Sequence, residues 1–91
     1  MTISTMELAE AKEATAVLLG DLGLAAFLFE VEPRAGRWEV RVECAFDSGW
    51  QTVVLDVASE RLLACRRDAA VRAALLDEWR ERLAACKKNS P

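Results

Sequence analysis

Five carboxylates in the middle of the chain are the residues whose type and spacing best suit chemistry. They are separated by even numbers of residues within each apolar-alternating segment, so they would share one face of a β-sheet: Glu30, Glu32, Glu39, Glu43 and Asp56. Carboxylates grouped in this way can act as a general acid and base or bind a hard cation. Arg37 and Arg41 fall on the same face, and cross-strand pairs of opposite charge are usual on a solvated sheet. We therefore predict a solvated face, with no catalytic residue and no metal ligand.

The three cysteines are the second candidate group, for redox chemistry or metal binding. Cys44, Cys65 and Cys86 are widely spaced, and none belongs to a C-x-x-C pair. Cys44 alternates with apolar strand residues, while the other two lie in the apolar stripe of the last helical region, which predicts buried thiols that pack as small apolar groups. A disulfide framework is not expected, and zinc would need about four ligands.

Histidine and tyrosine are both absent from the sequence. Histidine is the commonest general base near neutral pH and the commonest transition-metal ligand. We therefore predict that the protein is not an enzyme and that it has no cofactor and no metal.

Composition and charge restrict the partners of the protein. With 53% hydrophobic and 30% charged residues, the 91-residue chain is expected to fold as a single domain, 1–91, frayed at 1–3 and 88–91. Its net charge of −3 argues against nucleic acid. No apolar run approaches the roughly 20 residues that span a bilayer, so no membrane association is expected. The first residues do not resemble a signal peptide, which predicts a cytoplasmic location.

Alternation of apolar and polar residues predicts three β-strands. The first covers residues 24–32, the second covers 37–46 and has the most regular alternation, and the third covers 50–57. Residues 33–36 and 47–49 are predicted turns. A two-residue loop at Ser48 and Gly49 would place Val53, Leu55 and Val57 beside Cys44, Val42 and Val40 respectively, on the same face. A three-residue loop with a glycine bulge would instead exchange the two faces of the third strand. The first register is preferred, because it keeps these apolar residues away from the charges.

Helical patterns flank the strands. Ser4 and Glu7 form a capping-box pattern that predicts the start of the first helix, and Gly20 is its predicted end. Ser59 is the predicted cap of a second helical region that extends to about Lys88. A continuous helix of that length would measure about 45 Å, which is too long for a compact domain of this size. We expect a break at residues 66–68 with Asp68 capping the second segment, the alternative being a helix that overhangs and finds a partner.

These elements predict an α+β fold. The order α-β-β-β-α gives a two-layer arrangement, with a three-stranded antiparallel sheet and the helices packed on one of its faces. The opposite face would then be left open, with Leu28, Trp50 and Val54 among its charges, Glu30 and Arg41 included. An exposed tryptophan beside two aliphatic residues suggests a docking surface.

The leading functional hypothesis is a non-enzymatic protein-interaction module that uses this open face. Its partner would be a second copy of the chain, as a homodimer, or a larger bacterial protein for which it serves as an adaptor. The alternative hypothesis is a small-molecule-binding domain or minor enzyme, with a cleft between the sheet and the helices lined by Trp38, Trp79 and a carboxylate.

Overall fold

The computed structural model describes residues 5–89 and has the predicted α+β architecture. Its elements are α1 (Thr5–Asp21), β1 (Phe27–Arg34), β2 (Arg37–Phe46), β3 (Gly49–Ala58), α2 (Ser59–Ala64) and α3 (Ala69–Arg82). The three strands form one antiparallel sheet in the order β1-β2-β3. None of the helices within residues 5–89 combines the length and apolar character needed to span a membrane.

The core lies between the helices and one face of the sheet, which we call the inner face. β2 supplies its centre, because Trp38, Val40, Val42 and Cys44 have no exposed surface. The helices cover this face with side chains that recur at helical spacing, chiefly Ala11, Ala14, Leu18, Leu19, Leu62, Leu75 and Trp79. The alternation in β2 therefore does what its pattern predicted, with every second side chain removed from water.

The second hairpin has the predicted faces but a different pairing. Val53, Leu55 and Val57 lie on the inner face, opposite Val42, Val40 and Trp38 respectively. The loop is Asp47 and Ser48 rather than Ser48 and Gly49, so each pair is shifted by two residues from the predicted one. A shift of two residues leaves every side chain on its face, because side chains alternate with a period of two.

The last helical region is broken where the sequence predicted. α2 ends at Ala64 and α3 begins at Ala69, and the Asp68 carboxylate accepts hydrogen bonds from the backbone N–H groups of Ala70 and Val71. Asp68 thus caps α3 by satisfying two of its free donors. The predicted Ser59 cap is wrong, since Ser59 is the first residue of α2 and the flanking Ala58 provides no side-chain acceptor. The predicted Ser4 cap lies outside the described residues, and α1 ends at Asp21, one residue beyond Gly20.

The segment after α3 is held by backbone bonds rather than free. Lys87 N–H donates to the Ala45 carbonyl, Ala25 N–H donates to the Lys87 carbonyl, and Asn89 N–H donates to the Gly23 carbonyl. Leu24 and Lys88 form an isolated antiparallel bridge, and β1 begins at Phe27 rather than at the predicted residue 24. Residues 88 and 89, which were expected to fray, therefore pair with the chain that leads into β1.

A disulfide joins Cys44 to Cys86, contrary to the expectation from sequence. Cys44 lies on the inner face of β2, and Cys86 follows α3 in the segment that pairs with residues 23–25. The predicted burial of all three cysteines is confirmed, and Cys65 is a free, buried thiol. The pairing was missed because the two cysteines are 42 residues apart, and their proximity depends on how the last helix returns across the sheet.

Candidate functional site

The face of the sheet opposite the helices, which we call the outer face, carries all five residues singled out from the sequence. Leu28 and Glu30 belong to β1, Arg41 to β2, and Trp50 and Val54 to β3. Leu28 is 63% exposed, Trp50 55% and Val54 42%. Aliphatic and aromatic side chains of this size are usually buried, so three of them on one exposed face form the most distinctive surface of the described chain.

The register places these residues around a single carboxylate, Glu43. Leu28 is the residue directly opposite Glu43 on β1, and Thr52 is directly opposite on β3. Trp50 and Val54 flank Thr52 at two residues on either side, so they are the diagonal neighbours of Glu43. Direct cross-strand neighbours have Cβ atoms about 5 Å apart, and diagonal neighbours are about 7 to 8 Å apart. The three apolar side chains therefore surround Glu43, close enough together for one small surface of a ligand to contact all of them.

An ion-pair network occupies the other end of the outer face. The Arg34 guanidinium contacts Glu32 at 2.7 Å and Glu39 at 3.3 Å, while the Arg41 guanidinium contacts Glu39 at 3.1 Å and Glu32 at 3.8 Å. Two arginines and two glutamates thus neutralise one another near the hairpin between β1 and β2. All four side chains are partly exposed, so the network contributes little to stability.

The network draws Arg41 away from Glu30. In the register Arg41 stands directly opposite Glu30, yet its guanidinium pairs with Glu32 and Glu39 instead. Within residues 5–89, Glu30, Glu43 and Asp56 have no ion-pair partner. The outer face accordingly divides into a self-neutralised ionic end and a part in which apolar side chains are mixed with uncompensated carboxylates.

The edge of the sheet beside Val54 is partly closed. The Arg82 guanidinium, at the end of α3, donates to the Val54 carbonyl at 2.9 Å. β3 is an edge strand, whose outward carbonyls would otherwise be free to pair with another chain. This contact, which the sequence did not reveal, favours the face over the edge of the sheet as the accessible surface near Val54.

The predicted cleft between sheet and helices is not found at the tryptophans. Trp38 and Trp79 are both buried in the core, so neither is available to line an open cleft. A small depression of about 140 Å³ lies elsewhere, between α1 and the segment after α2, lined by Ala14, Val17, Leu18, Cys65, Arg66 and Arg72. It is too small for most ligands, whose pockets occupy about 300 to 1,000 Å³.

The Cys65 thiol, which lines that depression, has the surroundings of a packed core residue. The Cys65 thiol donates to the Leu62 carbonyl at 3.0 Å. Burial raises the pKa of Cys65 and so favours the protonated form, although the charges of Arg72 and Arg66 oppose the shift. The two arginines are already paired, Arg66 with Glu13 at 3.0 Å and Arg72 with Asp21. Within residues 5–89, no group of three or more cysteine, aspartate or glutamate side chains is arranged to hold a metal ion.

Comparisons with known proteins give no relative for this chain. No protein-family model matches it, and neither the curated proteins nor the solved structures contain a match. The interpretation of the outer face therefore depends on its own geometry and charge.

Proposed function

We propose that the protein is a non-enzymatic protein-interaction module that binds its partner on the outer face of the sheet. The observation that carries the proposal is the group of Leu28, Trp50 and Val54, exposed around Glu43 on a face that no helix of residues 5–89 covers. Interface centres are enriched in aromatic residues, and tryptophan is among the residues that contribute most to binding energy.

The rigidity of the surface supports the same function. Each of the three side chains stands on a strand that pairs along its length with β2, whose alternate residues are buried in the core, so the backbone beneath it is held by the sheet. A surface that is ordered before binding loses little conformational entropy when a partner arrives. The partner is a second copy of the chain, giving a homodimer, or a different and larger protein for which the chain acts as an adaptor.

The proposal includes a cytoplasmic location, which sets a condition on the disulfide. Cytosolic thiols usually keep cysteines reduced. Cys44 has no exposed surface and Cys86 is only 3% exposed, so attack by an external thiolate is hindered. The state of the bond can be measured on protein from acid-quenched cells. The protein is alkylated under native and under denaturing conditions, and its intact mass is then determined. A fully reduced pair would show that the bond does not form in the cytoplasm.

The function is tested by variants of the outer face compared with a matched surface variant. Val54→Ser and Trp50→Ala remove apolar surface from the outer face, while Val17→Ser removes a valine of similar exposure, 49%, from α1. We expect all three to keep the fold. Two measurements apply: self-association by size-exclusion chromatography with light scattering, and capture of other proteins with the native chain as bait. Binding in either measurement should be lost with Val54→Ser and Trp50→Ala and retained with Val17→Ser.

One result would overturn the proposal. If the wild-type chain is monomeric at every concentration and the Trp50→Ala variant captures every protein that the wild type captures, the outer face does not bind a partner. Circular dichroism and thermal unfolding of each variant exclude loss of the fold as the cause of lost binding.

A further inference from the structure

We propose that the partner of the outer face is a protein segment that places a lysine or arginine on Glu43, between apolar side chains that contact Leu28, Trp50 and Val54. This inference rests on the proposed function and adds the chemistry of the partner to it. It follows from charge complementarity on a surface whose charges are unevenly compensated.

The outer face has an excess of negative charge where its apolar residues lie. It carries five carboxylates and three arginines, and the pairs that Arg34 and Arg41 make all involve Glu32 and Glu39. Glu30 and Glu43 are diagonal neighbours, about 7 to 8 Å apart, and neither has an ion pair within the described chain. A cation from outside would therefore meet two carboxylates that the protein itself does not neutralise.

The apolar surroundings favour binding of that cation at Glu43. When a partner covers Leu28, Trp50 and Val54, water is displaced from around the carboxylate, and a charge-assisted hydrogen bond gains strength as the local dielectric constant falls. Covering Glu43 with an apolar or acidic surface would instead leave a desolvated charge without a partner, which is costly. The same geometry therefore attracts a basic segment and rejects a neutral or acidic one.

Trp50 adds to this preference. Its indole ring is exposed at the diagonal position beside Glu43. The face of an indole attracts lysine and arginine side chains through its quadrupole. A guanidinium can contact the ring with its plane while its N–H groups donate to a carboxylate, so arginine suits the site better than lysine does.

A second copy of the chain fits this surface less well. In a symmetric dimer formed by two outer faces, the unpaired Glu30 and Glu43 of one copy approach a face of the same negative excess. Arg34 and Arg41 of that face are engaged by Glu32 and Glu39, and the exposed Arg37, which has no ion pair within residues 5–89, is outnumbered by the unpaired Glu30, Glu43 and Asp56. Like charges brought together in an interface oppose association.

The test is a selection of random peptides displayed on phage against the folded wild-type chain. The retained peptides are then measured by fluorescence anisotropy against purified variants. Glu30→Gln/Glu43→Gln removes the two carboxylates of the site without breaking an ion pair, and Glu60→Gln/Glu81→Gln removes two exposed carboxylates from the helices as the control. Trp50→Ala tests the apolar part.

We expect the selected peptides to carry arginine or lysine within two residues of a large apolar side chain. Their affinity should fall at least tenfold for Glu30→Gln/Glu43→Gln and for Trp50→Ala, and less than twofold for Glu60→Gln/Glu81→Gln. Raising the salt concentration should weaken binding to the wild type more than binding to Glu30→Gln/Glu43→Gln, because fewer charge pairs remain to be screened in the variant.

The outcomes separate this inference from the proposed function. Peptides that lose affinity for Trp50→Ala but bind Glu30→Gln/Glu43→Gln as well as the wild type would refute the basic partner and leave the interaction surface standing. A wild-type dimer that Trp50→Ala dissociates would identify the occupant as a second copy and also refute the basic partner. Peptides that bind every variant equally, or no enrichment at all, would refute both.

Discussion

The two faces of β2 meet opposite surroundings although their residues alternate along one strand. Val40 and Val42 have no exposed surface, whereas Arg41 and Glu43, each the next residue in the chain, are exposed. The inner face is held by helices, a disulfide and apolar packing, and the outer face carries charged side chains, Thr52 and the three exposed apolar side chains around Glu43. A step of one residue therefore separates the residues that maintain the fold from those available to a partner.

The largest expected effect comes from placing the same side chain on each of the two faces. Val42→Asp should cost at least about 5 kcal/mol of the unfolding free energy, because it buries a carboxylate without a partner in a domain whose total stability is expected to be about 5 to 15 kcal/mol. Val54→Asp, on the outer face and opposite Arg41, should cost about 1 kcal/mol or less, as expected for a change in strand propensity. Urea denaturation followed by circular dichroism measures both.

The comparison would fail if the two variants behaved alike. A cooperative transition for Val42→Asp close to that of the wild type would mean that this position is open to water. Severe destabilisation by Val54→Asp would mean that the outer face is covered in the native protein, for example by a second copy.

The next effect concerns the bond that fixes the C-terminal segment to the inner face. The Cys44–Cys86 disulfide closes a loop across 42 residues, for which the chain-entropy model predicts about 4 kcal/mol of stabilisation. Reduction with dithiothreitol, or the variant Cys44→Ser/Cys86→Ser, should lower the midpoint of urea denaturation by a corresponding amount. Cys65→Ala is the control, since its stability should still respond to reductant.

Equal denaturation curves for oxidised and reduced wild type would contradict the disulfide. A response to reductant that disappears in Cys65→Ala would assign the effect to Cys65 instead. Hydrogen exchange of the Ala25, Lys87 and Asn89 amides distinguishes these cases. These N–H groups donate to the carbonyls of Lys87, Ala45 and Gly23 respectively, and they should exchange faster once the disulfide is broken.

Sequence reasoning succeeded where one strand or helix contained the whole signal. The alternation of residues 37–46 gave the limits of β2. The helical pattern after Ser59, which is too long for one helix in a compact domain, gave the break at residues 66–68 with Asp68 as the cap. The face of each β3 residue was also predicted, although the pairing was not, since patterning fixes only whether a residue shift is odd or even.

Sequence reasoning failed where two distant segments had to meet. The Cys44–Cys86 bond, the bridge between Leu24 and Lys88 and the hydrogen bond from Arg82 to Val54 each join segments that no local pattern relates. On the outer face, the five residues were placed correctly on one surface, but the diversion of Arg41 to Glu32 and Glu39 depends on side-chain rotamers. This diversion gives the surface its uncompensated charge.

A smaller effect on stability is expected at the break between α2 and α3, which lets two short helices cover the inner face. Asp68→Ala should lower the unfolding free energy by about 1 kcal/mol, because two backbone donors of α3 lose their acceptor. In a domain of this size, that loss corresponds to a fall of about 4 to 8 °C in the melting temperature. Asp68→Asn keeps an acceptor oxygen and should recover most of the difference. Equal losses for both variants would show that the cap is not the reason for the effect.

The smallest effect on stability is expected for an exposed contact between α2 and α3, the ion pair of Arg61 with Glu78. The hydrogen bond from Arg61 lowers the pKa of Glu78, so the folded state favours the ionised carboxylate. The stabilisation is therefore present at neutral pH and is lost as the pH falls from about 5 through the glutamate range.

Glu78→Gln should cost less than about 1 kcal/mol at pH 7, since both partners are exposed, and the difference from wild type should shrink with acidification. Glu81→Gln, at an exposed carboxylate of the same helix without an ion pair within residues 5–89, is the control for the loss of one negative charge. A difference between Glu78→Gln and wild type that stays constant with pH would assign the loss to packing, and the charge pair would then have no part in holding the helices over the inner face.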